Sequence, residues 1–122
     1  MALQQADWQA RLDRRNHIFE VTGHVTIPAS LLTAGRYGIT KSASLQKKVP
    51  QGYNPTILIL DLYVRQEQEL AQPQHASPVE AHFYKQLTPA EEEEYQAYTE
   101  VHVYYMGELM QQISVDKFPR RP

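Results

Sequence analysis

Along this chain, apolar residues alternate with polar ones far more often than they recur every three or four positions. The most apolar run is 56–65, where Ile57, Leu58, Ile59 and Leu60 follow one another. A run this short, rich in branched residues and preceded by Asn54-Pro55, predicts a buried strand rather than a helix. Strand neighbours point to opposite faces. Leu58, Leu60, Leu62 and Val64 therefore share a wholly apolar face, expected to line a core. Ile57, Ile59, Asp61, Tyr63 and Arg65 share the other, which turns polar after two residues and is expected to meet water from Asp61 onward. Asp61 reads as a solvated or locally paired carboxylate rather than a functional one.

The same period marks the neighbours. Residues 17–27 form a long strand with Phe19, Val21, Val25 and Ile27 on one face and Glu20, Thr22, His24 and Thr26 on the other. Gly23 falls on the apolar side, where it suggests a bulge or the close approach of another backbone. Ala6, Trp8, Ala10 and Leu12 alternate with polar residues, yet Trp8 and Leu12 also lie one helical turn apart. The strand is favoured, joined to 17–27 as a hairpin through Asp13-Arg14-Arg15-Asn16. Residues 36–41 are extended, with Tyr37 and Ile39 on one face. Residues 79–87 give another strand, with Val79, Ala81 and Phe83 alternating with Glu80, His82 and Tyr84. Val101, Val103 and Tyr105 point inward from a strand at 100–106, with His102 and Tyr104 outward. Gly107-Glu108 turns the chain, and 109–118 returns with Leu109, Gln111, Ile113 and Val115 on one face, completing the clearest hairpin.

The connections are distinct. Residues 28–35 read as a loop with one helical turn at 29–32. Residues 42–54 are a polar connection holding Val49-Pro50-Gln51-Gly52, a turn, beside the solvated Lys47 and Lys48. Residues 66–77 read as an exposed loop. Thr88-Pro89 followed by Glu91 to Glu94 starts a short helix ending near Tyr95 or Tyr98. There Thr caps, Pro fits the first position and the carboxylates sit at the positive end of the dipole. The four glutamates read as a solvated face. The tail 119–122 is expected to fray.

Six or seven strands, one helix and no strand–helix alternation predict an all-β fold. The expected architecture is a single-domain antiparallel β-sandwich of about seven strands over 1–122, immunoglobulin-like in layout but without the Cys–Trp–Cys core. The segment Pro50-Gln51-Gly52-Tyr53-Asn54-Pro55 running into Leu58–Leu62, with Val21-Thr22-Gly23 upstream, resembles a pattern in small uncharacterised bacterial proteins. That resemblance implies a β-sandwich and supplies no activity. The glutamate-rich segment and the long loop at 30–35 depart from it.

Composition narrows the function. The 122 residues contain no cysteine, so no disulfide framework or thiolate metal site is available. Twelve basic against fourteen acidic residues give a net charge of −2, which argues against a nucleic-acid surface. No apolar run is long enough to span a bilayer and the N-terminus has no signal-peptide pattern, so a cytoplasmic protein without a membrane partner is expected. Eight tyrosines are an ordinary strand former's share and also a hint of a recognition surface.

Nucleotide-binding, zinc-hydrolase, serine-hydrolase and calcium-loop motifs are all absent. His82 and His102 fall on strands consecutive in the chain, with Glu80 and Glu100 two residues before each. If those strands pair, a Glu/His patch forms beside Tyr84 and Tyr104. A metal would still need a third ligand, and a polar sheet face explains the patch as well. Neither a catalytic residue nor a cofactor or metal site is assigned. The expected function is a non-catalytic protein-interaction or assembly module with a protein partner or self-association, binding through Tyr84, Tyr95, Tyr98, His102 and Tyr104. The alternatives are a carbohydrate-like small-ligand module using exposed Tyr and Trp8, and a small hydrolase centred on His82, His102 and Glu100.

Overall fold

Alternation does bury the interior: Phe19, Val21, Val25, Leu58, Leu60, Val101 and Val103 have no solvent exposure at all. A computed structural model describes residues 4–26, 30–31, 37–69 and 78–119. Ser30 and Leu31, the middle of the helical turn expected at 29–32, are instead a short strand paired with Gly38 and Tyr37, while His75 and the remaining loop and tail residues lie outside the described residues. In chain order the elements are β1 (Gln4–Asp13), β2 (Ile18–Thr26), β3 (Ser30–Leu31), β4 (Tyr37–Lys47), β5 (Ile57–Glu69), β6 (Val79–Gln86), α1 (Pro89–Ala97), β7 (Glu100–Tyr105) and β8 (Glu108–Phe118).

The strands form one sheet in the order β3-β4-β5-β7-β8-β1-β2-β6, and β4 lies against β6, so the sheet curls almost into a barrel. The all-β expectation holds. The antiparallel sandwich does not describe this arrangement, because β5–β7 and β8–β1 pair in parallel. A parallel pair needs a long crossover, and β6 with α1 supplies the one between β5 and β7. Strand β8 joins the two halves: residues 108–114 pair with β7 and residues 115–118 with β1.

Several local expectations are met. β1 is a strand, hairpinned to β2, and its turn is held by Asp13, whose carboxylate accepts from the Arg15 N–H (3.0 Å), the Asn16 N–H (3.1 Å) and the Asn16 side chain (2.8 Å). Those bonds, the Asn16 side-chain one first, hold the Asp13 carboxyl below its ordinary value. Leu58, Leu60 and Leu62 face the core as expected.

Others are corrected. Residues 42–47 belong to β4 rather than to a loop, because paired Leu45 and Leu62 bury one face together. Residues 66–69 extend β5, paired with β4. Leu109 points outward: a shift in register between Val103 and Tyr104 sets it opposite the outward Tyr104 while Gln111 opposes Val103. Gly23 keeps regular register with β6, and the bulge lies opposite it in β1, between Ala6 and Gln9. What approaches Gly23 is the Trp8 ring rather than a backbone, and a Cβ there would come within 2.3 Å of the indole.

The turn before β5 borrows a side chain as a strand. Gln51 Oε1 accepts from the Ile59 N–H (2.8 Å), and Gln51 Nε2 donates to the Ile59 carbonyl (2.9 Å). One amide side chain therefore meets both backbone groups of Ile59, as a neighbouring peptide would.

Helix α1 covers one end of the barrel. Thr88 and Glu91 start it, the Glu91 carboxylate accepting from the Thr88 N–H (3.0 Å) and hydroxyl (2.9 Å). Tyr95 and Tyr98 then enter the core. Their ring centroids lie 5.2 and 6.2 Å from that of Phe19, both pairs edge-on, the arrangement aromatic quadrupoles favour.

Candidate functional site

The five residues expected to bind fall in three places. Tyr95 and Tyr98 are 1% and 4% exposed and belong to the core, away from any outer face. Burial pushes the Tyr95 hydroxyl up to about 12, and it raises Tyr98 too, helped by its hydrogen bond to Glu94. Tyr84 stands outward on β6, while His102 and Tyr104 stand outward on β7. Three strands, β8, β1 and β2, separate β7 from β6. His82 and His102 therefore do not pair, although sequence order suggested it, because α1 carries the chain across the barrel end before β7 begins.

Each histidine has a carboxylate of its own instead. His82 Nε2 lies 2.6 Å from Glu20 Oε2 across the β2–β6 ladder, whereas His102 Nε2 lies 3.8 Å from Glu100 Oε1. The second separation is too long for a hydrogen bond. No group of three or more potential metal ligands occurs among the described residues.

Around Tyr84 the outer face carries a cross-strand row. Asp116 opposes Arg11, Arg11 opposes Glu20 and Glu20 opposes Tyr84. The Arg11 guanidinium lies 4.9 Å from the centre of the Phe118 ring, a cation–π distance. Arg11, Asp13, Ile18, Glu20, Tyr84 and Phe118 enclose a hollow of about 150 Å³.

Tyr104 belongs to a different surface. It pairs with Asp61 on one side and Leu109 on the other, and Tyr63 follows Asp61 on the same outer face. Beyond them the β7–β8 hairpin turns through Met106 and Gly107, with φ of 51° and 83°. Both positive values mark the two-residue hairpin turn that matches strand twist, a turn usually made by Asn, Asp or Gly. Met106 is 85% exposed, Tyr63 53% and Leu109 45%. Next to the turn the outer face of this hairpin thus carries Tyr104 and Leu109, with Tyr63 beside them, and its tip is a large apolar side chain in a left-handed backbone. The alternation placed Tyr63 correctly on the outer face but gave no reason to join it to Tyr104. Leu109 was missed because the shift in register reverses its direction. The signal available in the sequence was Tyr-Tyr-Met-Gly-Glu-Leu-Met, a turn flanked by apolar residues on both sides.

The acidic run of α1 has a structural role. Glu91 pairs with Lys85 of β6 (2.7 Å), Glu94 with Lys47 of β4 (2.9 Å), and Glu92 with His17 before β2. Lys85, followed by the Thr88 bonds, holds the Glu91 carboxyl down at about 2, and Lys47 lowers Glu94. Lys117 donates to the Gln96 carbonyl (2.5 Å), and burial lowers its ammonium. Lys47 also sits 5.5 Å from the centre of the Tyr95 ring. Three of the four glutamates are therefore docking contacts rather than free solvated charge. Lys48, just after β4, stands 4.0 Å from Asp61, which is locally paired as expected.

No known protein family, curated protein or solved structure matches this chain. No helix among the described residues is long and apolar enough to cross a membrane.

Proposed function

We propose that this protein is a non-catalytic protein-interaction module that docks through the outer face of the β7–β8 hairpin. The observation that carries the reading is Met106: apolar, 85% exposed, and held in a backbone conformation disfavoured for a residue with a Cβ. Local strain at an exposed tip points to a function. Tyr63, Tyr104 and Leu109 extend the same surface, and aromatic residues and Met are enriched where proteins meet. A cytoplasmic setting is part of the proposal, in keeping with a chain free of cysteine. The small-ligand alternative fits less well. The hollow beside Tyr84, about 150 Å³, is smaller than the roughly 300–1,000 Å³ of typical ligand pockets. The larger openings along β1, about 540 and 570 Å³, are lined mainly by polar side chains rather than by the apolar and aromatic ones such pockets use.

The test compares the native chain with a Met106→Asp, Leu109→Ser double variant in partner capture and in solution mass by light scattering. The expected result is loss of capture or self-association with a thermal midpoint no lower than that of the native chain, because Asp suits this turn better than Met. A native chain that stays strictly monomeric and captures nothing at high concentration overturns the reading.

A further inference from the structure

Strands β1 and β8 run side by side in parallel but pair only through residues 10–13 and 115–118. If the register continued, Gln5 would lie opposite Met110. Instead β1 bulges between Ala6 and Gln9, with Asp7 at φ 60°, and the two strands part. Between them lies an opening of about 570 Å³, walled by residues 8–11 on one side and by residues 111–114 and 116 on the other. Ladder geometry shows which backbone groups face it. The Val115 N–H is spent on the Thr99 carbonyl (3.0 Å), on the β7 side. Successive residues turn their backbone groups to opposite edges. Ser114 and Gln112 therefore turn theirs towards β1. The Ala10–Val115 pairing takes the Ser114 carbonyl, which accepts from the Ala10 N–H. The Ser114 N–H and both Gln112 backbone groups face the opening, where no strand pairs with them among the described residues. The Met110 carbonyl continues this series, and it accepts from Gln5 Nε2 at 3.3 Å. A side-chain amide thus stands where a peptide N–H would stand. Gln51 plays the same part at Ile59.

We propose that this opening receives one extended segment of a partner protein, added as a strand between β8 and β1, antiparallel to both, with displacement of the Gln5 amide. The inference rests on the interaction reading above and names the chemistry of the partner. Unpaired strand edges are complemented by a strand, and strand addition is an established mode of peptide capture. Because β1 and β8 are parallel to each other, one segment can be antiparallel to both, the slightly stronger pairing. Residues 5–9 and 110–114 set its length at about five residues, or roughly 17 Å at strand rise. Its inward side chains would meet Trp8, Ala10 and Ile113, and its outward ones Gln9, Gln112 and Ser114. Arg11 and Asp116 stand opposite each other and offset in charge, so a neutral segment alternating apolar and polar residues fits best.

The test uses the full chain and the probe acetyl-Thr-Val-Thr-Val-Thr-amide, titrated by NMR. A second probe of the same sequence, N-methylated at alternate residues, keeps the side chains but loses backbone donors. The first probe should shift amides of residues 110–114 and 5–9. Gln5→Ala should bind it about fivefold tighter, because a competing hydrogen bond is gone. The N-methylated probe should bind the unaltered protein at least ~10-fold more weakly, a comparison independent of any variant's folding. Equal binding of the two probes overturns the proposal, as does binding of neither to the native chain and Gln5→Ala. A Gln5→Ala dimer that the probe cannot dissociate assigns the opening to a second copy and overturns the partner segment. Probe binding is read without the natural partner, so its failure leaves the Met106 surface standing. Capture retained by the Met106→Asp, Leu109→Ser variant removes that surface and not the opening.

Discussion

At the end of the barrel where α1 lies, charge and apolar surface are both paired. Lys85, Lys47 and His17 meet Glu91, Glu94 and Glu92, while Phe19, Tyr95 and Tyr98 pack edge to face beneath them. At the opposite end the chain is irregular. There Asp7 and Met106 have positive φ, β1 leaves β8, Trp8 is only partly buried, and Met106 stands in water. His17 beneath α1 also has a positive φ, but it is paired with Glu92. One end is built for stability and the other departs from the local rules that stabilise strands and turns. Such departures concentrate where a protein functions, and at Met106, unlike His17 with its Glu92 partner, no structural contact of the side chain among the described residues accounts for one. The difference teaches where to look for binding on a molecule without a catalytic constellation.

The largest expected effect tests this contrast directly. Tyr95→Ala removes a ring that is 1% exposed and should cost about 3–5 kcal/mol in urea unfolding. Trp8→Ala removes a larger ring, but one only partly buried against Gly23, and should cost less than Tyr95→Ala. Equal losses at the two ends would break the comparison.

Titration of the helix end is the next effect in size. Glu91 is held at about 2 in the folded chain, against about 4.5 ordinarily. Its folded value lies below its unfolded one, so its contribution is present above pH 4.5 and is lost as pH falls towards 2. Tyr95 has the opposite sign: it is raised from 10.0 to about 12, so its contribution is present below pH 10 and is lost as pH rises towards 12. Unfolding midpoints measured across pH should therefore fall at both extremes. Lys85→Met should flatten the acid limb and Tyr95→Phe the alkaline one. Limbs unchanged by these substitutions would show that α1 is not held as described.

How much of this was legible in the sequence follows from the range of each interaction. Alternation within a strand is local, so Leu58, Leu60, Val101 and Val103 were placed inward correctly, as was the start of α1 from Thr88-Pro89. The partner of a strand is not local. Nothing near His82 says that its neighbour is Glu20 on β2 rather than His102 on β7. The parallel β5–β7 and β8–β1 pairings are hidden for the same reason, so alternation predicts an antiparallel sandwich where the sheet is mixed. Tyr95 and Tyr98 looked like surface aromatics because they follow four glutamates. Three of those glutamates are spent on barrel cations, which draws the tyrosines beneath them into the core. Shifts in register were equally invisible, since one extra residue reverses the direction of Leu109 without changing the composition around it.

The smallest expected effect is also the sharpest test of why Met106 stands where it does. Gly107 already has the conformation its turn needs, with φ of 83°, whereas Met106 holds φ of 51° with a Cβ in place. Replacing it with the residue that tolerates this region, Met106→Gly, should stabilise the chain by about 1 kcal/mol. The side chain is 85% exposed, so little packing is lost to offset that gain. Denaturant midpoints give the stability and partner capture gives the function. A more stable protein that binds more weakly means that the tip trades stability for contact. A destabilised Met106→Gly would instead mean that Met106 packs on its own hairpin, and the contrast between the two ends would lose its clearest case.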